Sequence, residues 1–357
     1  MLLLFIWILF RLHKKTQIRE IFKKKHENFK FQCSTLVTIE NVTCKEIYNQ
    51  IIAKVIRIPF LFNHVKNYNL SEFITISNSN SLWDELTKTL QTPWKITLFQ
   101  ETNTKCILIL QNHRNLMGGQ QRIWGVINEL FSNKYFPIKK TLEYSDCSYS
   151  DLIYYTQKIV KKYWSFFVNK PILNQIQKTT TSLHKYDLPK VKKICKQKHC
   201  TINDFCLAIS IVKYKNFLFK NKNSIRVLMP YYFNEIYSYF IVTLYKKDIE
   251  KSFEEFIDSI TYKTVLLKNN NYKYLDCFFT NQIQKFIPEN MIYKLYIKNI
   301  HTIDVFMSNI KGFTIPKKLK HQNVENMCSI YHSYNRPLEI GVLSYLQNIT
   351  ITITQNK

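Results

Sequence analysis

Apolar and polar positions alternate from residue 29 to 42, the period of a half-buried strand, and then fall at helical spacing from 44 to 58 through Ile47, Ile51, Ile52 and Val55. The same reasoning predicts a helix over 81–90 and two strands, 95–99 and 105–111, whose polar connection QETNT makes them a hairpin. Helical spacing returns over 118–131, through Ile123, Ile127, Leu130 and Phe131, and again over 149–168. The polar run 175–182, QIQKTTTS, reads as a crossover, because the pattern restarts after it. Beyond it the spacing predicts helices over 188–196, 202–217 and 252–267, with strands at 224–230, 240–246, 302–309 and 338–354. The last of these closes in strict alternation of Ile349, Ile351 and Ile353 with Thr350, Thr352 and Thr354. The fold class is therefore mixed α/β in two halves, and no sequence-level repeat relates them.

Composition narrows this picture in three ways. A chain of 357 residues, 46% hydrophobic and 15% aromatic, is long enough for two ordinary domains or one large one and too apolar to be disordered. Its formal net charge of +26 invites a nucleic-acid reading, yet only seven of the 51 basic residues are Arg, and the Lys are scattered among Asn, Ile, Tyr and Phe. That is a solvated basic surface, compatible with anionic lipid headgroups or with the phosphates of an acidic substrate; nucleic acid is not an expected partner. The rival reading, a basic nucleic-acid binder, requires a contiguous cationic face and a steep salt dependence. Nine Cys, an odd set without any Cys-x-x-Cys pair, argue against a zinc ribbon or a disulfide framework and point to a reducing compartment. No metal-ligand spacing, Walker loop, dinucleotide fingerprint or Gly-x-Ser-x-Gly elbow is present, so neither a metal nor a bound cofactor is expected.

Residues 2–10, LLLFIWILF, are uninterruptedly apolar and are followed by Arg11, His13, Lys14 and Lys15. The run is too short to span a bilayer, which needs about 20 apolar residues. It also lacks the leading charges and the cleavage site of a secretory signal. Residues 1–15 are expected to form an anchor in one leaflet, with Lys14, Lys15, Lys23, Lys24 and Lys25 at the headgroups and the main body on the cytoplasmic side. The alternative is a first element packed into the core.

Candidate chemistry concentrates at His113, which falls between the strand CILIL and the helix that follows it, where a rigid sheet can position a side chain and leave one side open. The chain has five Gly, and two of them, Gly118 and Gly119, stand together just after His113, marking backbone with unusual dihedrals or a close approach. An imidazole, with a pKa of about 6.5, can accept a hydroxyl proton at neutral pH. His184, His199 and His332 are expected at the surface, and Glu254, Glu255 and Asp258 on a solvated helix face.

The stretch Asn112, His113, Arg114, Asn115, Leu116, Met117, Gly118 resembles the His-His-x-x-x-Asp-Gly motif of the wax ester synthase/diacylglycerol acyltransferase family, within the chloramphenicol acetyltransferase and condensation-domain superfamily. The second His and the Gly match. Thr92, Pro93, Trp94 is similar, in changed order, to the family's Pro-Leu-Trp element, and Thr201 to Ala208, TINDFCLA, to its Thr-Val-Asn-Asp-Val-x-Leu-Ala element. RVLMP at 226–230 fits in the same order, as do Ser308, Asn309, Ile310, Lys311, Gly312, similar to Ser-Asn-Val-Pro-Gly, and the closing LEIGVLSYLQNITITIT. The likeness runs from about residue 30 to the end, and its strength lies in several short elements standing in the right order.

The resemblance implies two chloramphenicol-acetyltransferase-like mixed-sheet subdomains, 16–174 and 175–357, with the active site at their interface and a tunnel for acyl-CoA and a lipid alcohol reaching His113. It implies an O-acyltransferase making wax ester or triacylglycerol at a membrane, the endoplasmic reticulum or a lipid droplet surface, with acyl-CoA as co-substrate. His113 would be the general base; Asn203 and Ser308 are candidates for the oxyanion donor. Pro93, Trp94, Asn203, Asp204, Asn309, Gly312, Gly118 and Gly119 would support the site walls. Two positions depart from the motif: Asn112 replaces the first His, and Met117 replaces an Asp that holds the motif loop through an ionic contact a thioether cannot make. Those departures carry an alternative, a catalytically impaired relative that binds lipid or membrane.

Overall fold

The computed structural model describes residues 31–58, 61, 69–87, 90, 92, 94–113, 120–131, 149–168, 179–233, 236–286, 302–319, 321–333 and 336–356. The anchor reading of residues 1–15 and the positions Pro93, Met117, Gly118 and Gly119 lie outside them.

The described strands, in chain order, are β1 (Phe31–Glu40), β2 (Ile74–Ile76), β3 (Trp94–Thr102), β4 (Lys105–His113), β5 (Thr179–Asp187) and β6 (Ser224–Phe233). They continue with β7 (Ile236–Tyr245), β8 (Val305–Ile310), β9 (Lys318–Leu319), β10 (Gln322–Ser333), β11 (Leu338–Tyr345) and β12 (Asn348–Asn356). The longer helices are α1 (Cys44–Val55), α2 (Gln120–Phe131), α3 (Tyr149–Val168), α4 (Leu188–Gln197), α5 (Ile202–Lys213), α6 (Phe253–Val265) and α7 (Asn270–Phe286).

The strands form two six-stranded sheets, in the orders β2-β3-β4-β1-β10-β9 and β5-β12-β11-β8-β6-β7. Both sheets are mixed. The β2/β3, β6/β8 and β8/β11 pairs run parallel, and the other described pairs run antiparallel. The two mixed sheets with their helices are the α/β architecture expected from the sequence. β9 and β10, from the second half of the chain, complete the first sheet.

Helix starts are fixed by local chemistry. Thr43 and Glu46 make a capping box before α1: Thr43 N donates to Glu46 Oε2 at 2.6 Å and Glu46 N to Thr43 Oγ1 at 3.4 Å. Asp187 caps α4 by accepting from Lys190 N at 2.7 Å. The buried stripe of α1, Cys44, Ile47, Ile51 and Val55, then packs with α2 against one face of the first sheet. Thr43→Ala should remove the reciprocal cap and lower stability by about 0.5–2 kcal/mol, read as a shift in the urea midpoint at unchanged slope.

β4 lies in the middle of its sheet and is covered on both sides. Cys106, Leu108 and Leu110 enter the cluster shared with α1, while Ile107 and Ile109 enter a second cluster with Leu36, Phe99 and Ile330. Burial on both faces explains why CILIL is continuously apolar instead of alternating. The larger core of the second sheet is built with α3 to α7, through residues such as Ile159, Leu207, Phe256 and Tyr272.

The sequence reading needs three corrections. The stretch 338–354, read as one strand, is a hairpin in which β11 and β12 pair antiparallel around a turn at 346–347, because Leu346 and Gln347 break the run. Residues 179–182, assigned above to a polar crossover, are the first part of β5, which pairs with β12 over its whole length. β5 is an edge strand whose residues are half-buried or exposed, so its Thr and Ser carry no apolar alternation. The helix read over 202–217 ends at Lys213, and a single separate turn follows at Lys215–Leu218.

Candidate functional site

His113 is the last residue of β4. Strand register places it opposite Gln32 of β1, and Gln32 in turn opposite His332 of β10. His332, expected at the surface as an isolated residue, thus shares a row with His113 two strands away, about 10 Å between backbones. The adjacent row is Trp94, Asn112, Cys33 and Tyr331 across β3, β4, β1 and β10. Asn112, at the place of the motif's first His, is fully buried. The Trp94 indole is buried, donates Nε1–H to the Leu61 carbonyl at 3.3 Å and lies 4.9 Å from the Phe73 ring.

The second sheet supplies the remaining motif residues. Asp204, in the first turn of α5, accepts from Thr201 N at 3.0 Å, Thr201 Oγ1 at 2.7 Å and Thr264 Oγ1 at 2.8 Å, and takes Lys268 Nζ on both oxygens at 2.6 Å. A buried carboxylate so engaged closes a capping box and ties α5 to the end of α6; it has no spare capacity for proton transfer. Burial pulls the pKa of the Lys268 ammonium down, and the Asp204 charge opposes that.

Asn309 of β8 donates Nδ2–H to Asn203 Oδ1, joining the start of α5 to the second sheet. Ser308, one residue earlier, accepts from the Tyr331 hydroxyl of the first sheet at 2.9 Å. Successive side chains of a strand point to opposite faces, so Asn203 and Ser308, the two candidates for the oxyanion donor, meet opposite faces of β8 and are not brought together. Gly312 donates its N–H to Ser344 Oγ at 3.1 Å, and an added Cβ there would overlap the Ser344 carbonyl oxygen, so the closing Gly of that motif is a close-approach position.

Several polar contacts had no local signal in the sequence. Tyr331 spans the seam between the sheets, packing edge-on against Phe306 at 5.3 Å while bonding Ser308. Arg336 and Glu339 form a buried ion pair at 3.3 Å, with the guanidinium 4.7 Å from the Phe306 ring. His184 is half-buried and takes Lys213 Nζ on Nε2 at 2.7 Å; burial first, and the Lys213 charge second, pull its pKa below the ordinary imidazole value. His199 is exposed at the turn after α4. Among the described residues no group of three or more His, Cys, Asp or Glu could hold a metal ion.

The two-sheet α/β fold of this chain, with His113 at the end of a central strand and β10 at the meeting of the sheets, is shared with solved structures. The chain is similar to the wax ester synthase/diacylglycerol acyltransferase from Marinobacter aquaeolei VT8 at 12% identity, with a TM-score of 0.61 over 95% of this chain and 92% of that one. It is similar to the TRI3 trichothecene 15-O-acetyltransferase from Fusarium sporotrichioides at 10% identity, with a TM-score of 0.64 over 95% and 90%. It is also similar to the starter condensation domain of rhizomide synthetase in complex with C8-CoA, at 9% identity and a TM-score of 0.53 over 96% and 89%. No family model matches the sequence, and no curated protein matches it. At these identities the likeness is one of fold, and it covers nearly the whole chain.

Proposed function

We propose that this chain is an O-acyltransferase that moves a fatty acyl group from acyl-CoA to a long-chain alcohol or diacylglycerol. The observation that supports it most is the place of His113: it ends a central strand buried on both faces, within a fold shared with a wax ester synthase/diacylglycerol acyltransferase. The acyl-CoA half of the reading draws on the condensation domain of the same fold that is in complex with C8-CoA. In this reading the active site lies between the halves 16–174 and 175–357, and the His113 imidazole takes the proton of the attacking hydroxyl. The alcohol oxygen adds to the thioester carbonyl, the tetrahedral adduct expels the CoA thiolate, and the imidazolium returns its proton to that sulfur. Atoms and charge balance without an acyl-enzyme. The apolar residues 2–10 and the Lys behind them would hold the enzyme at a membrane, placing it beside its acceptor.

Asn112 and Met117, where the motif has His and Asp, favour a second reading in which the protein binds lipid without turning it over. One assay separates the two. Purified full-length protein is given labelled acyl-CoA with a long-chain alcohol or diacylglycerol, and His113→Ala is expected to lower the rate by about 10²–10⁴-fold. Equal rates for wild type and variant, at the level of the uncatalysed background, would remove the catalytic reading and leave the binding one.

A further inference from the structure

Cys44 opens α1 and Cys106 is the second residue of β4, 62 positions later in the chain. Their Sγ atoms lie 2.7 Å apart, and both residues are buried. That separation exceeds the covalent S–S length of about 2.05 Å by about 0.65 Å. The juxtaposition is held from several sides. Cys44 N donates to Gln100 Oε1 at 2.6 Å, and Gln100 Nε2 donates to the carbonyls of Thr102 at 2.5 Å and Lys105 at 3.2 Å. Val42 N donates to the Thr104 carbonyl at 3.2 Å, and the Thr43–Glu46 box fixes the helix start between them. The β3–β4 turn is thus hydrogen-bonded to the segment that carries the first thiol, which holds the backbones of the two cysteines close.

We propose that Cys44 and Cys106 form a redox pair that closes to an intramolecular disulfide when the protein meets hydrogen peroxide. The Cys44 thiolate attacks one peroxide oxygen, breaking the O–O bond to leave a sulfenic acid and, after protonation, water. Cys106 then attacks the Cys44 sulfur, the S–S bond forms, and the sulfenic oxygen leaves as a second water with the Cys106 proton. Two thiols lose two electrons, and one peroxide is reduced to two waters. The roles follow from the surroundings. A hydrogen bond from Cys106 pulls the Cys44 thiol down, and its place at a helix start favours the thiolate further, whereas the same contact and burial push Cys106 up. Cys328, buried and raised to about 12 by burial alone, has no such poise. The clamp lies seven residues, about 24 Å of strand, from His113, so it acts on the scaffold and does not depend on the acyl-transfer reading.

The test uses reduced, full-length wild-type protein. It is treated with a small excess of hydrogen peroxide, blocked with N-ethylmaleimide, digested without reductant and mapped by mass spectrometry. The expected result is one peptide pair linking Cys44 to Cys106, abolished by dithiothreitol. The melting temperature should rise by about 5 °C, because the bond closes a long loop of the unfolded chain. Cys44→Ala should abolish that rise; if it fails to fold, the wild-type map alone decides. Maleimide on both thiols, sulfinic acid at Cys44, or either residue bonded to another cysteine would overturn the proposal.

Discussion

Lys162→Met is expected to cost about 3–5 kcal/mol of folding stability, because it leaves a buried carboxylate without its counter-charge. Lys162, on α3, donates to Asp276 of α7 at 2.9 Å on Oδ1 and 2.7 Å on Oδ2, with side-chain exposures of 5% and 0%. Asp276 Oδ2 also accepts from Ser238 Oγ of β7 at 2.6 Å and Tyr231 OH of β6 at 2.5 Å, and Lys162 Nζ reaches Ser238 Oγ at 3.2 Å and lies 4.3 Å from the Tyr239 ring. Burial pulls the Lys162 pKa down while the Asp276 charge holds it up; without that ammonium, the carboxylate keeps its desolvation cost and loses its main compensation. The network fastens α3, which comes after β4 of the first sheet in the chain, onto the second sheet's helical layer, where Tyr155 and Ile159 of α3 are buried. The double variant Lys162→Met/Asp276→Leu should recover most of the loss, since an apolar pair of similar volume removes the charge instead of stranding it. Urea unfolding of the wild type, the singles and the double measures this. A Lys162→Met loss below about 1 kcal/mol, or a double no better than the singles, would mean that the pair is not insulated from water.

What the sequence made legible, and what it hid, follows from how each element is covered. β12 announces itself in Ile349, Ile351 and Ile353, and β4 in CILIL, because in both the coverage is regular along the strand. β10 gave no such signal although it is buried too. The register with β1 shifts between Thr38 and Ile39, which face Asn326 and Val324, so Glu325 is an extra residue on β10. Val324 and Met327 therefore enter the same cluster although they are three apart, while Cys328 and Ile330 enter the other, and the period of two is lost at the bulge. α7 was hidden for a different reason: its buried positions include the polar Asn271 and Asp276, and Asp276 is compensated by Lys162, Tyr231 and Ser238 from other elements. Of the candidate site, the strand end at His113 was readable from the run before it and the paired Gly after it. The Asn203–Asn309 and Tyr331–Ser308 contacts were not, because they join residues 106 and 23 positions apart across different layers. Asp204, assigned to a site wall by resemblance, has a role legible from chemistry alone, since Thr-x-x-Asp before an apolar run is a helix start.

Gly341→Ala tests the seam on which any site between the sheets depends, and it is expected to cost about 3 kcal/mol or more. Gly341 sits on β11 between Ser308 of β8 and Thr352 of β12 in register, and its Cα faces β10 of the first sheet. A Cβ built there overlaps the Ser329 carbonyl oxygen of β10 and the Thr352 hydroxyl, and comes within 3.2 Å of Tyr331 Cδ2. The Thr352 side chain can turn aside. The carbonyl cannot, because it belongs to a strand paired with β1 along most of its length and already accepts the Thr352 hydroxyl. The added methyl must therefore push the sheets apart, loosening the Tyr331–Ser308 bond and with it the β10 row that neighbours Asn112 and His113. Adding Thr352→Ala should restore only part of the loss, since one of the two overlaps remains. Thermal unfolding reads the stability, and acyl transfer should fall in parallel if the rows beside His113 move. A Gly341→Ala protein within about 0.5 kcal/mol of wild type would show that the sheets do not approach as closely as backbone against backbone, because only a wider seam absorbs a methyl at that cost.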